Sequence, residues 1–307
     1  MRIVVTGCSG LIGSALCERL LEEGHDIKGY DLQEGWMLES RGLVGKFPVT
    51  KGDISSIYTL QAAMYKADAV YHLAAISGVE ASRQDGPKSL EVNVQGTWTV
   101  LEACRRQRIP RVVTASSNHI YGPQPQYPVK EYAAMNQLDT YSVSKICADY
   151  IARMYAHNYE LPVVIIRNTN CYGPHDPHDD HLIPGTIKSL LAGRSPEIRG
   201  DGMTKKAYLY IDDVVDAYLA ALDLGLTKGG EAYNISGMNH SVLEVVTTIQ
   251  RMMGMKIPAV VKNIPNDQSH ENLDWTKFHK ATGWTPKVSL ELGINKTVEW
   301  MKKKVAV

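Results

Sequence analysis

A tyrosine and a lysine four residues apart lie in the stretch of this sequence best suited to chemistry, Tyr141-Ser142-Val143-Ser144-Lys145. The stretch falls early in a predicted helix, where this spacing places the phenol and the ammonium group on one face. Ser116 and Ser117 end a predicted strand, at the edge of the sheet where ligands bind. A hydroxyl, a phenol and an ammonium group together form a set suited to the oxidation of an alcohol.

The first predicted strand runs into a glycine-rich turn, Gly7-Cys8-Ser9-Gly10-Leu11-Ile12-Gly13, and a predicted helix follows the turn. Glycines three residues apart let a pyrophosphate approach the turn and let the helix pack closely on the sheet, because side chains would block both contacts. The phosphates then lie at the positive N-terminus of the helix. In this strand and helix context, the spacing predicts a dinucleotide-binding turn.

Two aspartates follow the next predicted strands. Asp31 ends the second strand, where its carboxylate can accept hydrogen bonds from the ribose hydroxyls of an adenosine. The same charge repels a 2′-phosphate, and no arginine or lysine immediately follows, so the sequence favours NAD over NADP. Asp53 follows the third strand and is a candidate for binding the adenine amino group, with an ordinary surface position as the alternative.

A positive charge near Tyr141 would let it act as a base at neutral pH. Lowering a tyrosine pKa from about 10 to about 7 requires about 4 kcal/mol. One positive charge at about 4 Å is worth roughly that amount at an effective dielectric constant of about 20. We therefore expect Lys145 and the positive nicotinamide ring of NAD to lower the pKa of Tyr141 together.

Short apolar runs alternate with longer amphipathic stretches over the first half of the chain. This alternation predicts a parallel sheet with right-handed crossovers and helices on both faces. Ligands bind such sheets outside the carboxyl ends of the strands. The expected strands are 3–5, 26–30, 48–51, 69–73, 111–115 and 163–166, and the expected helices are 11–23, 89–107 and 139–158.

The alternation breaks down after about residue 170, where histidines, prolines and glycines cluster. We predict an α/β fold, a doubly wound parallel sheet of Rossmann type, with a smaller and irregular α/β lobe in the C-terminal half. An NAD-binding domain with the Ser/Tyr/Lys set is expected over 1–170 and a substrate-binding lobe over 171–307. Segments near 205–236 are expected to return to the first domain.

The composition argues against several classes of protein. Lys plus Arg and Asp plus Glu each number 33 among 307 residues, so the formal net charge is zero, which disfavours a nucleic-acid partner. No apolar stretch approaches the ~18 residues of a membrane span, and the first apolar run is too short for a signal peptide. Five scattered cysteines without a Cys-x-x-Cys pair are typical of reduced thiols, so we expect a cytoplasmic location.

Taken together, the motifs resemble the extended short-chain dehydrogenase/reductase family, and within it the nucleotide-sugar 4-epimerases and 4,6-dehydratases. The resemblance covers nearly the whole chain and is more specific for the family than for one reaction. It rests on the runs Thr6 to Gly13, His72 to Ala75, Asn93 to Thr97, Ser116 to Gly122, Tyr141 to Lys145, Arg167 to Pro174, Leu182 to Pro184, Tyr208 to Val214 and Gly283 to Pro286.

The resemblance implies an NAD-dependent enzyme that oxidises a sugar transiently at C4. Tyr141 would be the base on the sugar hydroxyl, Lys145 would hold the nicotinamide ribose, and Ser117 would hydrogen-bond the same hydroxyl. The hydride then returns to the opposite face of the 4-ketone and gives the epimer, which is the reaction we predict. Asn170 would contact the diphosphate of the nucleotide-sugar substrate.

Two further sets of residues follow from the resemblance. The implied cofactor-binding residues are Gly7, Ser9, Gly10, Leu11, Ile12, Gly13, Asp31, Asp53, Ile54, Leu73, Ala74, Ala75, Asn93 and Lys145. The implied substrate-binding residues are Ser117, Asn118, Asn170, His181, Leu182 and Lys206.

Asn118 and His119 depart from many of the resembling dehydratases, which carry Asp-Glu or Asp-Lys after the serine. An asparagine does not titrate and therefore cannot be a general acid. His119, with an unperturbed pKa near ~6.5, can take a catalytic role or can simply support its neighbours. A 4,6-dehydratase in which His119 helps to eliminate water across C5 and C6 is the first alternative function.

Two other readings of the same residues stay open. The Ser-Ser-Asn-His run at 116–119 also resembles sugar-acid dehydrogenases of the superfamily, so a net NAD-dependent dehydrogenase of a sugar or sugar acid is the second alternative. An NAD-responsive binding protein without activity is disfavoured, because such a protein has no need for Tyr141 and Lys145. The sequence leaves the base, the sugar, the pathway and the direction of reaction open.

The C-terminal half departs from the resembling family where a diphosphate would bind. Lys206-Ala207 stands in place of Arg-Asp, and the usual arginine near Asn263 to Ser269 is missing. Arginine suits a bidentate phosphate contact better than lysine does. The candidates to replace it are Lys206, Arg194, Lys205 and His270.

The run at 175–181 is rich in histidine and aspartate, a composition typical of a metal site. It lies where the resembling family has a loop that covers the substrate, and hydride transfer requires no metal. Pro177 also prevents a regular helix from aligning the histidines. We therefore predict that the chain holds no metal.

Two predicted helices, 89–107 and 139–158, are expected to carry apolar side chains on their outer faces. In the resembling family the corresponding helices form a four-helix dimer interface, so the resemblance implies a homodimer. The alternative is that these side chains pack only on their own sheet. The expected outer residues are Trp98, Leu101, Ile151 and Met154.

Overall fold

A computed structural model describes residues 1–264 and 271–305 of the chain. Its strands are β1 (Arg2–Thr6), β2 (Asp26–Asp31), β3 (Val49–Lys51), β4 (Ala69–His72), β5 (Val112–Ser117), β6 (Val163–Asn168), β7 (Asn170–Tyr172), β8 (Glu197–Ile198), β9 (Lys205–Tyr210), β10 (Ala232–Ile235), β11 (Met238–Ser241) and β12 (Val260–Val261). Its helices are α1 (Leu11–Glu22), α2 (Trp36–Ser40), α3 (Ile57–Ala63), α4 (Val79–Gln84), α5 (Gly86–Leu90), α6 (Thr97–Arg106), α7 (Thr140–Tyr159), α8 (Leu182–Leu191), α9 (Ile211–Ala220), α10 (Gly225–Lys228), α11 (Val242–Met253), α12 (Thr276–Thr282) and α13 (Leu290–Val305).

The central sheet confirms the predicted doubly wound architecture. Within the described ranges it has seven strands in the order β10-β6-β5-β4-β1-β2-β3, and every neighbouring pair is parallel. Successive side chains of a strand point to opposite faces, and β1 follows this rule: Ile3 and Val5 join one apolar cluster and Val4 joins the other. Helices α1 and α9 cover the first face, and α3, α6 and α7 cover the second.

Strand β10 completes the sheet beyond the six strands that the sequence predicts. It pairs with β6 from Ala232 opposite Ile165 to Ile235 opposite Asn168, and all four of its residues are buried. Its four residues include a polar one, Asn234, so the apolar run is too short to indicate a strand. It lies within the range 205–236 that was expected to return to the first domain. The division at residue 170 stays a prediction.

The backbone is helical from Gly86 to Arg106, which agrees with the helix predicted over 89–107, but the type of helix changes within it. Helix α5 ends at Leu90, a π-helical segment covers Glu91–Gly96, and α6 begins at Thr97. Gly96 packs so closely on Ile54 that a Cβ atom there would lie 2.4 Å from the isoleucine Cδ1. The backbone of this π-helical segment therefore lies directly against Ile54, in the loop after β3.

The second lobe is built from small sheets and helices. Strand β9 pairs in parallel with β7 and antiparallel with β11, and β8 pairs with β12. A capping box begins α11, in which the Ser241 hydroxyl accepts from the Glu244 backbone and the Glu244 carboxylate accepts from the Ser241 backbone. Among the described residues, no helix combines the length and apolar character that crossing a membrane requires.

Candidate active site

Ser117 ends β5 at the carboxyl edge of the central sheet, as the sequence predicts. Its side chain is buried, and its hydroxyl accepts a hydrogen bond from the backbone N–H of His119 at 3.2 Å. That bond caps the short 3-10 turn over Asn118–Tyr121. The serine is therefore held in place by the turn that follows it.

Tyr141 lies in the first turn of α7, which Asp139 caps by accepting hydrogen bonds from the backbone N–H and hydroxyl of Ser142. The Tyr141 side chain is buried. Burial raises its pKa from the ordinary value of 10.0, and the hydroxyls of Ser117 and Ser77 act in the opposite direction. The cap and the burial fix the phenol at the sheet edge beside Ser117.

Lys145 follows one turn later on α7, and its ammonium group donates to the carbonyl oxygen of Ala115 at 2.7 Å. Burial lowers its pKa to about 8, while the charge of Asp149 opposes that shift. In the chain without cofactor, burial of the phenol raises the pKa of Tyr141, so the lowering expected from Lys145 and the nicotinamide ring together stays a prediction. The positive charge of an oxidised nicotinamide would act in the expected direction.

Asn118 and His119 lie beside this pair. The Asn118 side chain is buried, and within the described part of the chain its amide Nδ2 has no hydrogen-bond partner. The His119 ring contacts the ring of Tyr141 edge to face, with centroids 5.8 Å apart. The structure thus brings together Ser117, Asn118, His119 and Tyr141, four of the residues proposed from the sequence.

The glycine turn packs as a dinucleotide-binding turn requires. Gly7 has a φ of +73°, and a Cβ there would lie 2.6 Å from the backbone nitrogen of Ala74. A Cβ on Gly13 would lie 2.0 Å from the carbonyl oxygen of Gly7. No acidic residue occupies the first turn of α1, which leaves its positive end available to an anion.

Asp31 stands at the end of β2, next to this turn. One carboxylate oxygen accepts from the backbone N–H of Ser9 at 2.9 Å and the other accepts from that of Leu32 at 2.8 Å. Burial raises its pKa, and these two backbone hydrogen bonds lower it. The glycine packing and this carboxylate fit the adenosine and pyrophosphate of NAD.

The remaining cofactor candidates are two polar residues, Asn93 and Asp53, and a set of apolar residues. Asn93 is buried, accepts from the Ile76 backbone N–H and donates to the Ser144 hydroxyl, so it joins the loop after β4 to α7. Asp53 accepts from the Ser55 backbone N–H, which does not test its expected contact with adenine. The others pack against the core or at the edge of the sheet: Ile54, Leu73 and Ala74, with Leu11 and Ile12 at the start of α1; Ala75 is half-buried in the loop after β4.

A fully buried ion pair lies next to the 3-10 turn that follows Ser117 and is hydrogen-bonded to it. Arg167 on β6 donates to both carboxylate oxygens of Asp149 on α7, at 2.9 Å each. It also donates to the hydroxyl of Tyr121 at 2.7 Å, which in turn donates to Asn234 on β10. These bonds tie the 3-10 turn after Ser117 to three elements of the domain.

Asn170 and Lys206, both proposed for the substrate, converge on one carboxylate in the second lobe. The Asn170 amide donates to Glu271 and to the carbonyl oxygen of Ala207, and the Lys206 ammonium group donates to Glu271. The side chains of Lys206 and Glu271 are each only 10% exposed. His270 and most of the segment near Asn263 to Ser269 lie outside the described residues.

His181 lies apart from those two residues. Its Nδ1 bonds to Asp176 at 2.7 Å, and its backbone begins α8. Leu182 follows as a half-buried residue that packs against the core.

Two residues of the site, Ser77 and Glu271, were not predicted from the sequence. Ser77 acts on the pKa of Tyr141 from the loop that follows Leu73, Ala74 and Ala75, so its position at the sheet edge was an available signal. Glu271 gives no local signal, because its partner Asn170 lies 101 residues away in sequence.

The chain matches the model of the NAD dependent epimerase/dehydratase family over residues 3–236. It is 36% identical to a UDP-glucose 4-epimerase of Mycolicibacterium smegmatis, over 99% of both chains. It is 30% identical to a dTDP-glucose 4,6-dehydratase of Haemophilus influenzae, over 98% of this chain and 97% of the relative. A solved UDP-glucuronic acid 4-epimerase of Bacillus cereus, in complex with UDP-glucuronic acid and NAD, superposes with a TM-score of 0.92 at 28% identity, covering 99% of this chain and all of that one.

The parallel sheet, the glycine turn and the Ser/Tyr/Lys set define a Rossmann-type enzyme that uses NAD. The chain belongs to the NAD-dependent epimerase/dehydratase family. The relatives named above are nucleotide-sugar 4-epimerases and a 4,6-dehydratase.

Proposed function

We propose that this chain is a nucleotide-sugar 4-epimerase. The observation that carries the proposal is Asn118, a buried amide next to Ser117 and Tyr141, where elimination of water would require a group that titrates. The 36% identity to a UDP-glucose 4-epimerase supports the same choice. An epimerase requires only oxidation and reduction at C4, for which the Ser/Tyr/Lys set suffices.

The chain's own residues have separate tasks in this reaction. The Tyr141 phenolate takes the proton from the C4 hydroxyl and later returns it to the C4 oxygen. The Ser117 hydroxyl holds that oxygen in line, and the 3-10 turn holds Ser117. Lys145 is fixed to the Ala115 carbonyl at the sheet edge, where we propose that it also binds the nicotinamide ribose.

Bound NAD would supply the chemistry of a reversible hydride acceptor for sugar C4. The glycine turn and Asp31 would hold its adenosine and pyrophosphate. Asn93 fixes the loop after β4, whose backbone lies next to Gly7.

The reaction is tested by incubating purified protein with NAD and a panel of UDP-, dTDP-, CDP- and GDP-sugars. Mass spectrometry with NMR should show a product of unchanged mass and an altered C4 signal, without accumulation of NADH. Loss of water would contradict the epimerase and favour a dehydratase. Steady formation of NADH from a sugar without a nucleotide would favour a net dehydrogenase.

A 4,6-dehydratase is the second candidate, because His119 is a titratable group in contact with the Tyr141 ring. The 30% identity to dTDP-glucose 4,6-dehydratases supports it. If water is lost, His119→Ala should abolish elimination and leave oxidation at C4, which single-turnover NADH absorbance would detect. An unchanged yield of the 4-keto-6-deoxy product would remove His119 from the mechanism.

We also propose that Asn170 and Lys206 contact the substrate diphosphate. Their side chains lie together in the second lobe and carry an amide donor and a positive charge. Both now bond to Glu271, so a bound diphosphate would compete with that carboxylate for the same donors. Arg194 and Lys205 remain further candidates for the position of the arginine that is missing from this chain.

A homodimer is the assembly that we propose. An apolar groove of about 560 Å³ runs between the π-helical segment with α6 and the helix α7, and its lining includes Val94, Trp98 and Ile151. Trp98 is 50% exposed and Met154 is also exposed, whereas Leu101 is fully buried and the expectation for it is wrong. Leu101 instead joins the apolar cluster between the central sheet and α3, α6 and α7. We further propose a reducing, cytoplasmic compartment, because the five cysteines are free thiols.

A further inference from the structure

A loop of the second lobe brings one carboxylate and two imidazoles together. Asp176 Oδ1 bonds to His178 Nδ1 at 2.8 Å, and Asp176 Oδ2 bonds to His181 Nδ1 at 2.7 Å. Donor atoms of all three side chains lie within 4.8 Å of one another. Over 1–264 and 271–305 this is the one group of three or more histidine, cysteine or carboxylate side chains that converge in this way.

Tight turns produce the convergence. The His178 backbone N–H donates to Asp176 Oδ1 at 3.1 Å, and the His181 backbone N–H donates to the carbonyl oxygen of His178 at 3.1 Å. Pro177 lies inside the first of these turns and is therefore compatible with the convergence of the three side chains. No regular helix forms over 175–181, as the position of Pro177 predicts, but the turns bring the three side chains together without one.

We propose that Asp176, His178 and His181 bind a first-row divalent transition-metal ion. Two imidazoles and one carboxylate are donors that suit zinc and its neighbours, whereas magnesium and calcium prefer all-oxygen sites. Zinc binds histidine nitrogen at about 2.0–2.1 Å and carboxylate oxygen at about 2.0–2.2 Å, so its ligand atoms stand roughly 3–3.5 Å apart. The two nitrogen–oxygen pairs, 2.7 and 2.8 Å apart, would have to separate by a few tenths of an ångström, and the donor atoms of the whole group, within 4.8 Å of one another, would have to draw to that spacing.

The burial of the three side chains fits entry of an ion from solvent. The Asp176 side chain is 1% exposed, whereas those of His178 and His181 are 50% and 46% exposed. The carboxylate is thus fixed by its surroundings, and the imidazoles leave one side open to the ion. Three protein ligands leave the remaining position to water.

Binding exchanges protons for the ion. Each imidazole now shares a hydrogen with the carboxylate through Nδ1, and a metal ion would take the place of these hydrogens. The ion would then hold the loop 175–181 to the start of α8, the helix that begins beside His181. This role does not depend on which sugar reaction the enzyme performs.

The test is titration of the full-length, cofactor-loaded protein, prepared without a histidine tag, with ZnCl₂ by isothermal calorimetry. We expect one zinc ion per chain. Asp176→Asn and His178→Gln should each weaken binding by more than the ~10–100-fold that loss of a partner outside the ligand set costs. His157→Gln, an exposed histidine on α7, is the matched control and should bind as the wild type does.

A second measurement keeps the proposal testable if Asp176→Asn fails to fold. Co²⁺ should give a visible d–d spectrum at one equivalent, and His178→Gln, at a half-exposed position, should lose it while the circular dichroism stays native. Absence of zinc binding by the wild type would overturn the proposal. Wild-type affinity in both variants would overturn it as well, because it would place the ion elsewhere.

Discussion

As the proposed base, Tyr141 would have to lose a proton in a site where burial disfavours the phenolate. Its pKa is raised, and the chain lowers it only through the neighbouring hydroxyls of Ser117 and Ser77. A base that forms only when the positive cofactor is present keeps proton abstraction coupled to hydride acceptance. The serines therefore prepare the tyrosine for a charge that arrives with the cofactor.

Replacing Tyr141 with phenylalanine should remove the base without disturbing the pocket. We expect turnover to fall by about 10²–10⁴-fold, with little change in nucleotide-sugar affinity, as measured by product NMR and calorimetry. Tyr150→Phe, an exposed tyrosine on the same helix, is the control and should keep wild-type turnover. Equal turnover in Tyr141→Phe and the wild type would exclude Tyr141 as the base.

At neutral pH, the buried charge of Lys145 should lower the free energy of unfolding. Its pKa is about 8 in the folded chain, against 10.5 ordinarily, so the unfolded chain binds the proton more tightly. Stability should therefore rise as the pH increases through this interval, and the cost is largest below about 8. The hydrogen bond that Lys145 donates to the Ala115 carbonyl offsets part of this cost in stability.

Lys145→Met should accordingly raise the free energy of unfolding by about 2 kcal/mol at pH 7 and abolish turnover. The advantage over the wild type should shrink toward pH 10.5, which urea unfolding at several pH values would measure. A gap that stays constant with pH would contradict the lowered pKa of Lys145.

Strand β5, strand β6 and helix α7 meet at the Arg167–Asp149 pair. The pair is fully buried, so loss of Arg167 would leave the buried Asp149 carboxylate with a partly exposed arginine as its remaining ionic partner. Arg153 contacts the same carboxylate of Asp149, but its own side chain is 36% exposed. The two arginines therefore offer a matched comparison of a buried and a half-exposed partner.

Arg167→Met should lower the free energy of unfolding by about 3–5 kcal/mol, because Asp149 loses its buried partner. Arg153→Met should cost no more than about 1 kcal/mol. Denaturant unfolding of the two variants measures both values, and similar losses for the two would contradict a special role for the buried pair.

The elements with strong local patterns were predictable from sequence, and those set by distant contacts were not. The alternation of β1, α1 and β2 and the Tyr141–Lys145 spacing predicted the cofactor edge of the sheet, because each pattern repeats over a few residues. The π-helical segment at Glu91–Gly96 packs closely on Ile54, a contact with a distant residue that no local pattern encodes. The Glu271 contact with Asn170 is likewise visible only after folding.

The whole molecule presents an apolar groove that one chain leaves uncovered. Val94, Trp98 and Ile151 line it, and a second copy placed by a two-fold axis would cover the same surface on both chains. The exposed Trp98 is among the lining residues and offers a large aromatic contact.

Trp98→Glu should convert a dimer into a monomer, because a carboxylate buried at an apolar interface is unfavourable. Light scattering coupled to size-exclusion chromatography measures the mass directly. Tyr58→Glu on α3, where the side chain is 81% exposed and outside the groove, should keep the wild-type mass. A wild-type protein that runs as a monomer would contradict the proposed assembly.

The place of β10 has a consequence for how the protein is made. Strand β6 pairs with β5 on one side, and its other edge is covered only by Ala232–Ile235, which the ribosome makes much later. At about 5–20 residues per second, a nascent chain keeps that edge open for several seconds. Unpaired strand edges invite pairing with other chains, so β6 is open to such pairing until β10 emerges.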